Sequence, residues 1–472
     1  MAYKSKNHIL DLILIIIIVI IGHFSYVHNS LKVVSNNWFD THQLDSEQLV
    51  LDGLLYSSKN KNIKQLGKYS RNSADERDYL NARKYFINKN VSGEFKEYSS
   101  SFGMQVYFFK FLSFIGINKL HYYHSISAFL MTAVIALITI SIKRDFSLFT
   151  GLVCALIFLL SPWIVIFAKN LFWLTFTLFL PMAFSIYYSK KIFVNFKIFY
   201  FLLFLLFISF LFKFLCGYEF ITTIFLSTCA PVFYHGLKQK FKISLIFKKI
   251  ILLGVIFTLA FIFSITIHTI SIKKDNEKFY EPIISIAEKR LWTNRKELVS
   301  KQACSNNKNC EEEIFRSLKA NSLLVVIKYF LMTDFLPWFY LDISEKDNIK
   351  IIKSLRFLNN NFNIPNIIKT FEDMSKIESK PFALFIVIKS ISITAFLILH
   401  VFSFYVFLKA NRSIKYFMAI SFFAPISWYF IAKGHSAIHF HMNFILWYIF
   451  FVPASVIGII NHLQSKKFIN QN

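Results

Sequence analysis

Over 472 residues, hydrophobic side chains make up 55%, aromatics 18% and charged residues only 17%. A water-soluble chain of this length carries roughly 25% charge, so the composition excludes an ordinary soluble enzyme and points to lipid as the solvent. The formal net charge of +26 does not indicate nucleic acid, because the basic residues flank apolar runs and dot polar connections instead of forming a stripe on a soluble domain; membrane lipids and phosphate groups suit it better.

The first apolar run, near 9–27, begins with Lys4 and Lys6 like a signal peptide. No small-residue cleavage site follows, so a retained transmembrane helix is expected.

The polar stretch 28–121 opens with Asp40-Thr41-His42-Gln43-Leu44-Asp45-Ser46-Glu47, the richest group of chemistry-bearing residues in the chain. In one continuous helix Asp40 and Glu47 stand two turns apart on a shared face, and Asp45 points elsewhere. A carboxylate at a membrane surface can gain proton affinity and act as a general base towards a hydroxyl. The same acids can instead solvate an exposed helix start and favour its dipole. Leu44, Val50, Leu51, Leu54 and Leu55 suit a helix over 38–55 lying on the membrane surface. The short apolar segment 102–117 reads as a re-entrant or interfacial helix.

Apolar runs near 122–142, 147–168, 170–188, 194–214, 217–236 and 248–271 follow, each long enough to cross a hydrocarbon core of roughly 30 Å. Glu219, in Cys216-Gly217-Tyr218-Glu219-Phe220, falls at a tight turn between two of them. An ionisable group so close to hydrocarbon needs a partner or a polar cavity. Lys213 is the structural partner, and a substrate site is the other reading.

A second polar stretch, 272–382, reads as mixed helix and coil, with an aromatic patch at 335–340 able to dip into the interface. Cys304 and Cys310 flank a polar turn at a spacing that suits a small closed loop, so an oxidising compartment would allow a purely structural disulfide. Cys154 and Cys229 sit in apolar helices. Three runs near 383–408, 414–432 and 438–461 close the chain.

The last outer turn holds Lys433, His435, His439 and His441. His435 and His439 have the i,i+4 spacing that can bind zinc, but no acidic ligand lies near. No metal site is expected there; contact with phosphate or sugar and plain interfacial packing both fit.

Lys143, Arg144, Lys190, Lys191, the basic residues of 238–249 and 409–415, Lys466 and Lys467 all fall on one side of a ten-helix count. Basic residues in short connections resist translocation, so that side is the cytoplasm. The expectation is an all-α polytopic membrane protein with about ten transmembrane helices, both termini cytoplasmic and two large external loops. Its parts are a first helix (1–27), a first periplasmic loop (28–121), a six-helix block (122–271), a second periplasmic loop (272–382), and three C-terminal helices with a short tail (383–472).

Two segments carry a family likeness: Asp45-Ser46-Glu47 followed by Leu49-Val50-Leu51, and Tyr98-Ser99-Ser100-Ser101-Phe102-Gly103-Met104-Gln105 leading into the next helix. With the one-helix, long-loop, compact-block layout, they resemble the polyprenyl-phosphate-dependent membrane glycosyltransferases of the GT-C superfamily. The resemblance implies that an acceptor hydroxyl displaces a lipid phosphate from C1 of a sugar, a hexose in this reading. Asp45 or Glu47 would be the base, with Asp40 in reserve. The departing phosphate needs cations, and Lys169 beside Asn170, Lys213 and Lys433 lie at outer helix ends, where each could equally be a snorkelling lysine.

The implied donor is an undecaprenyl-phosphate sugar, and the implied acceptor is a glycan or lipid-linked glycan such as lipopolysaccharide O antigen at the bacterial inner membrane. No cofactor is required by the likeness, though a divalent cation could serve the phosphate chemistry. Phosphate-loop, dinucleotide and nucleophile-elbow motifs are absent, which disfavours an ATP-driven pump.

An O-antigen polymerase is the neighbouring alternative, but Arg71, Arg77, Arg83, Arg290, Arg295 and Arg316 form no repeated loop motif. A lipid-linked glycan flippase or carrier would place polar residues along helix centres and small residues along packing seams. The helix centres here are Ile, Leu and Phe, and the whole chain has 12 Gly.

Overall fold

A computed structural model describes residues 2–59, 66–71, 78–273, 275, 277–291, 323, 326, 327, 335, 382–433, 436 and 442–469. Among them, six helices are long and apolar enough to cross a membrane: His8–His28, Leu120–Asp145, Phe196–Cys216, Ile243–Ile272, Lys389–Lys409 and Arg412–Ile431. The pair Leu148–Leu159 and Pro162–Ala168, bent by 63°, makes a seventh if it is one broken span. This is the architecture of a multi-pass helical membrane protein.

The other expected spans are helical but fall short in length or apolarity. Phe176–Tyr188 has 13 residues, Ile221–Lys238 is diluted by Thr, Ser and His, and the last run is divided into Ile445–Ile449 and Phe451–Ile469.

In chain order the elements up to the first long bundle helix are α1 (Ala2–His28), α2 (Asn36–Thr41), α3 (Leu44–Lys59), β1 (Gly67–Ser70), α4 (Ala82–Ile87), β2 (Glu94–Glu97), α5 (Met104–Phe114) and α6 (Leu120–Asp145). Then come α7 (Leu148–Leu159), α8 (Pro162–Ala168), α9 (Phe176–Tyr188), α10 (Phe196–Cys216), α11 (Ile221–Lys238), α12 (Ile243–Ile272) and α13 (Tyr280–Leu291). The last four are α14 (Phe382–Lys409), α15 (Arg412–Ile431), α16 (Ile445–Ile449) and α17 (Phe451–Ile469).

Helix α6 is central and packs on α1, α7 and α9. From α9 the contacts run through α11 to α15 and α17, and α17 returns to α7. Two-thirds of the apolar window of α6 is buried (67%), against 17% for α12, so α12 lies at the rim. Its outward Ile251 and Phe263, like Leu12, Ile13 and Ile16 on α1, are exposed apolar groups that lipid would cover.

Proline shapes the bundle. Ser161 caps α8 by accepting from the Ile164 N–H, and Pro162 starts that helix without an N–H to give back to α7. The Phe158 carbonyl, which a residue at position 162 would otherwise bond, accepts the Tyr26 hydroxyl of α1 at 2.9 Å beside a longer bond from the Ser161 N–H at 3.4 Å. Near Pro231 in α11, the Ser185 hydroxyl reaches the Thr228 carbonyl (2.6 Å); near Pro425 in α15, the Thr223 hydroxyl reaches that of Ala424 (2.9 Å). Neighbouring helices thus supply donors near the prolines, as an apolar solvent demands.

The first polar stretch folds as a small cap. Strands β1 and β2 pair antiparallel, Gly67 opposite Glu97 and Ser70 opposite Glu94, a minor β element beside the helices among the described residues. Helix α3 packs against β1, α4 and α5. Leu44, Val50, Leu51, Leu54 and Leu55 are all buried, but so are Glu47, Gln48, Asp52 and Ser57. A surface-lying helix would leave its polar side wet, so the structure corrects that expectation: α3 is enclosed within the cap. Asp52 makes this tolerable by pairing with both terminal nitrogens of Arg71 (2.6 and 2.9 Å) and accepting from the Tyr69 N–H. The expected short helix over 102–117 is α5, apolar and outward at Phe111 and Phe114.

Candidate functional site

The turn between α2 and α3 makes the site. Gln43 takes a left-handed conformation (φ 58°), which ends one helix and starts the next. Its side-chain oxygen accepts from Ser46, and its carbonyl accepts from the Glu47 N–H and the Asn170 amide. Asp40 and Glu47 therefore stand on two helices and not on one continuous face. Both still converge on Arg83 of α4.

Arg83 donates through Nε (2.8 Å) and approaches through Nη2 (2.7 Å) to Glu47 Oε2. His124, in the first turns of α6, holds Glu47 Oε1 at 2.6 Å. Burial alone would raise the carboxyl pKa, but the Arg83 charge and the His124 contact outweigh it and hold Glu47 down at about 2. With a fully buried side chain and both oxygens engaged, Glu47 is a structural anion that aims Arg83.

Asp40 is the accessible carboxylate among these ion pairs, its side chain 60% exposed. Lys169 Nζ donates to its Oδ1 at 3.0 Å, and Arg83 Nη1 lies 3.9 Å from the same oxygen while donating to the Asp40 carbonyl at 3.1 Å. Lys169 itself is buried, 3.5 Å above the Phe39 ring. Burial, joined by repulsion from Arg83, pushes its pKa down to about 8 against the pull of Asp40. Asp45 is exposed and takes no part in these ion pairs.

Asn170 fixes the segment that carries Lys169. Its side-chain oxygen accepts from the Phe172 and Trp173 N–H groups (3.0 and 3.3 Å), and its amide donates to the Gln43 carbonyl (3.2 Å). Beneath lies an aromatic layer: Trp38 on Trp163, Trp173 stacked with Phe220, and Phe220 against Trp428.

Lys213 and Glu219 approach to 3.7 Å, both buried, and Lys213 also donates to the Gly217 carbonyl at 2.7 Å. Gln105, from the Tyr98-to-Gln105 segment, donates to the Phe172 and Cys216 carbonyls (2.6 and 2.9 Å) and stitches this turn to the Lys169 segment. Lys433 follows α15 and is half-buried. His435, His439, His441, Cys304 and Cys310 lie outside the described residues. Cys154, Cys216 and Cys229 are free and buried. Among the described residues, no group of three or more His, Cys, Asp or Glu is placed to hold a metal ion.

The structure thus joins Asp40, Glu47, Lys169 and Asn170, and adds Arg83 and His124. Arg83 stood out in the sequence only as one of several loop arginines. His124 carried no spacing signal, being 77 residues from the carboxylate it holds. Compared with known proteins, the chain matches no family model, no curated protein and no solved structure.

Proposed function

We propose that the chain is a membrane glycosyltransferase that moves a hexose from a polyprenyl phosphate to a glycan acceptor on the extracytoplasmic face of a bacterial inner membrane, with a GT-C-like arrangement. The observation that carries this is one exposed carboxylate set against two cations, Asp40 with Lys169 and Arg83, at the wet end of an apolar bundle. Acyl-type and nucleotide chemistry need other groups. A lipid-phosphate donor needs this set: a base beside positive charge.

In the proposed step the acceptor oxygen attacks C1 of the sugar. The C1–O bond to phosphate breaks, and its electron pair leaves with the polyprenyl phosphate. The acceptor proton passes to Asp40 and then to water. Lys169 and Arg83 receive the charge that grows on the leaving phosphate, exchanging part of their contact with Asp40 for it. Glu47 and His124 keep Arg83 in place, so Asp40 takes the role first assigned to Asp45 or Glu47. Lys213 and Glu219 support the adjoining turn.

The test is expression of wild type, Asp40→Asn and Asp45→Asn at equal membrane levels in a strain making lipid-linked sugars, with mass spectrometry of the surface glycan. A hexose-sized addition made by wild type and Asp45→Asn but lost in Asp40→Asn supports the assignment. A change only in glycan chain length would favour a polymerase, and no change at all would favour a carrier.

A further inference from the structure

At the other end of α6 lies a cleft rimmed by charged side chains. Arg144 is 20 residues from His124, roughly 30 Å along the helix. The cleft, of about 460 Å³, opens there between the ends of α6, α9 and α11, lined by Arg144, Asp145, Tyr187, Lys190, Lys191 and Gln239 among others. Arg144 and Lys191 both face the Tyr187 ring, at 5.5 and 5.9 Å. The opposing charges are already engaged: Asp145 pairs with His235 at 2.9 Å, and Asp11 takes Arg144 and Lys143 at 2.8 and 2.7 Å. Lys190 and Lys191 remain exposed at the cleft mouth, and Gln239 donates to the Lys190 carbonyl.

The cleft does not open onto polar surface alone. Val194 lines it, and Val194, Phe196 and Tyr200 continue from it as exposed apolar side chains, 74%, 72% and 65% accessible. A ligand matching both parts has an anionic head and an alkyl chain. We propose that this cleft binds the phosphate headgroup of an anionic phospholipid, whose acyl chain runs along Val194, Phe196 and Tyr200. Free phosphate would gain nothing from that apolar track, whereas a lipid fills both.

The test uses the full chain in detergent with phosphatidylglycerol as probe, read by native mass spectrometry, with phosphatidylethanolamine and inorganic phosphate in parallel. Lys190→Gln/Lys191→Gln should weaken phosphatidylglycerol retention on the order of tenfold and leave phosphatidylethanolamine unchanged. Lys242→Gln/Lys248→Gln removes the same charge at the same end but outside the cleft and should retain the lipid like wild type. Equal loss in both variants would reduce the effect to general surface charge and overturn the proposal. So would wild-type retention by Lys190→Gln/Lys191→Gln, or full competition by inorganic phosphate. Unchanged melting temperatures in both variants exclude misfolding as the cause.

Discussion

At Glu47 both carboxylate oxygens are committed, to Arg83 and to His124, while Asp40 seven positions earlier stays in water. Replacing Glu47 with Gln leaves a half-buried guanidinium and a buried imidazole around a neutral amide, and because water reaches Arg83 the cost falls below the about 3–5 kcal/mol of breaking a fully buried pair. Thermal unfolding in detergent should show this as a clear fall in melting temperature; an unchanged value would contradict the anchoring role. The same pair sets an acid limit. The folded carboxyl sits at about 2 against an ordinary 4.5, so its contribution is complete above the ordinary value and is lost as pH falls from there towards 2. Lys169 works at the other limit. With a folded pKa of about 8 against 10.5, the folded chain releases this proton first, and its stability contribution rises over that window. A phosphate-binding ammonium is lost over the same range, so turnover should fall with a midpoint near pH 8, and Lys169→Arg, which stays charged, should hold its rate to higher pH. A wild-type rate flat through pH 9 would exclude Lys169 from phosphate binding. The acids at 40–47 were legible because they cluster in sequence. Arg83 and His124 were not, since they arrive from 36 and 77 residues away.

Helix positions followed closely from apolar length, because a run that fills the hydrocarbon must satisfy its backbone internally. The run at 122–142 became Leu120–Asp145 and that at 194–214 became Phe196–Cys216. Breaks were less legible. The run at 147–168 hides a bend at Ser161-Pro162, and the Phe158 carbonyl, left there with only a long bond from the Ser161 N–H, takes a shorter one from a hydroxyl of another helix. Tyr26→Phe removes that donor without changing shape and should lower stability by about 0.5–1.5 kcal/mol, read as melting temperature beside wild type; equal stability would mean that the Ser161 N–H alone satisfies the Phe158 carbonyl. Helix α3 shows the reverse limit. Its apolar residues announced a buried face, but the buried acids that seat it within the cap depend on arginines, Arg71 and Arg83, from later in the chain.

Across the whole molecule, the ion pairs separate into two ends: Asp40, Glu47, Lys169 and Arg83 at one, Asp11, Lys143, Arg144, Asp145 and His235 at the other. We propose that the end carrying Lys143 and Arg144 faces the cytoplasm, since basic residues in short connections resist translocation. In a chain with its own cysteines replaced by Ser, Asp45→Cys should react with an impermeant thiol reagent on intact cells, and Lys191→Cys only after permeabilisation; the opposite pattern would invert the orientation and move the proposed chemistry to the cytoplasmic face. Everything at the Asp40 end turns on Asp40 serving as the base of a sugar transfer from a lipid phosphate. Its most direct test is reconstituted wild type and Asp40→Asn supplied with a polyprenyl-phosphate hexose and a glycan acceptor, following acceptor mass and free polyprenyl phosphate together. Coupled gain of both is expected in wild type, with a rate about 10²–10⁴-fold lower in Asp40→Asn and donor binding retained. Transfer by Asp40→Asn at the wild-type rate would contradict it.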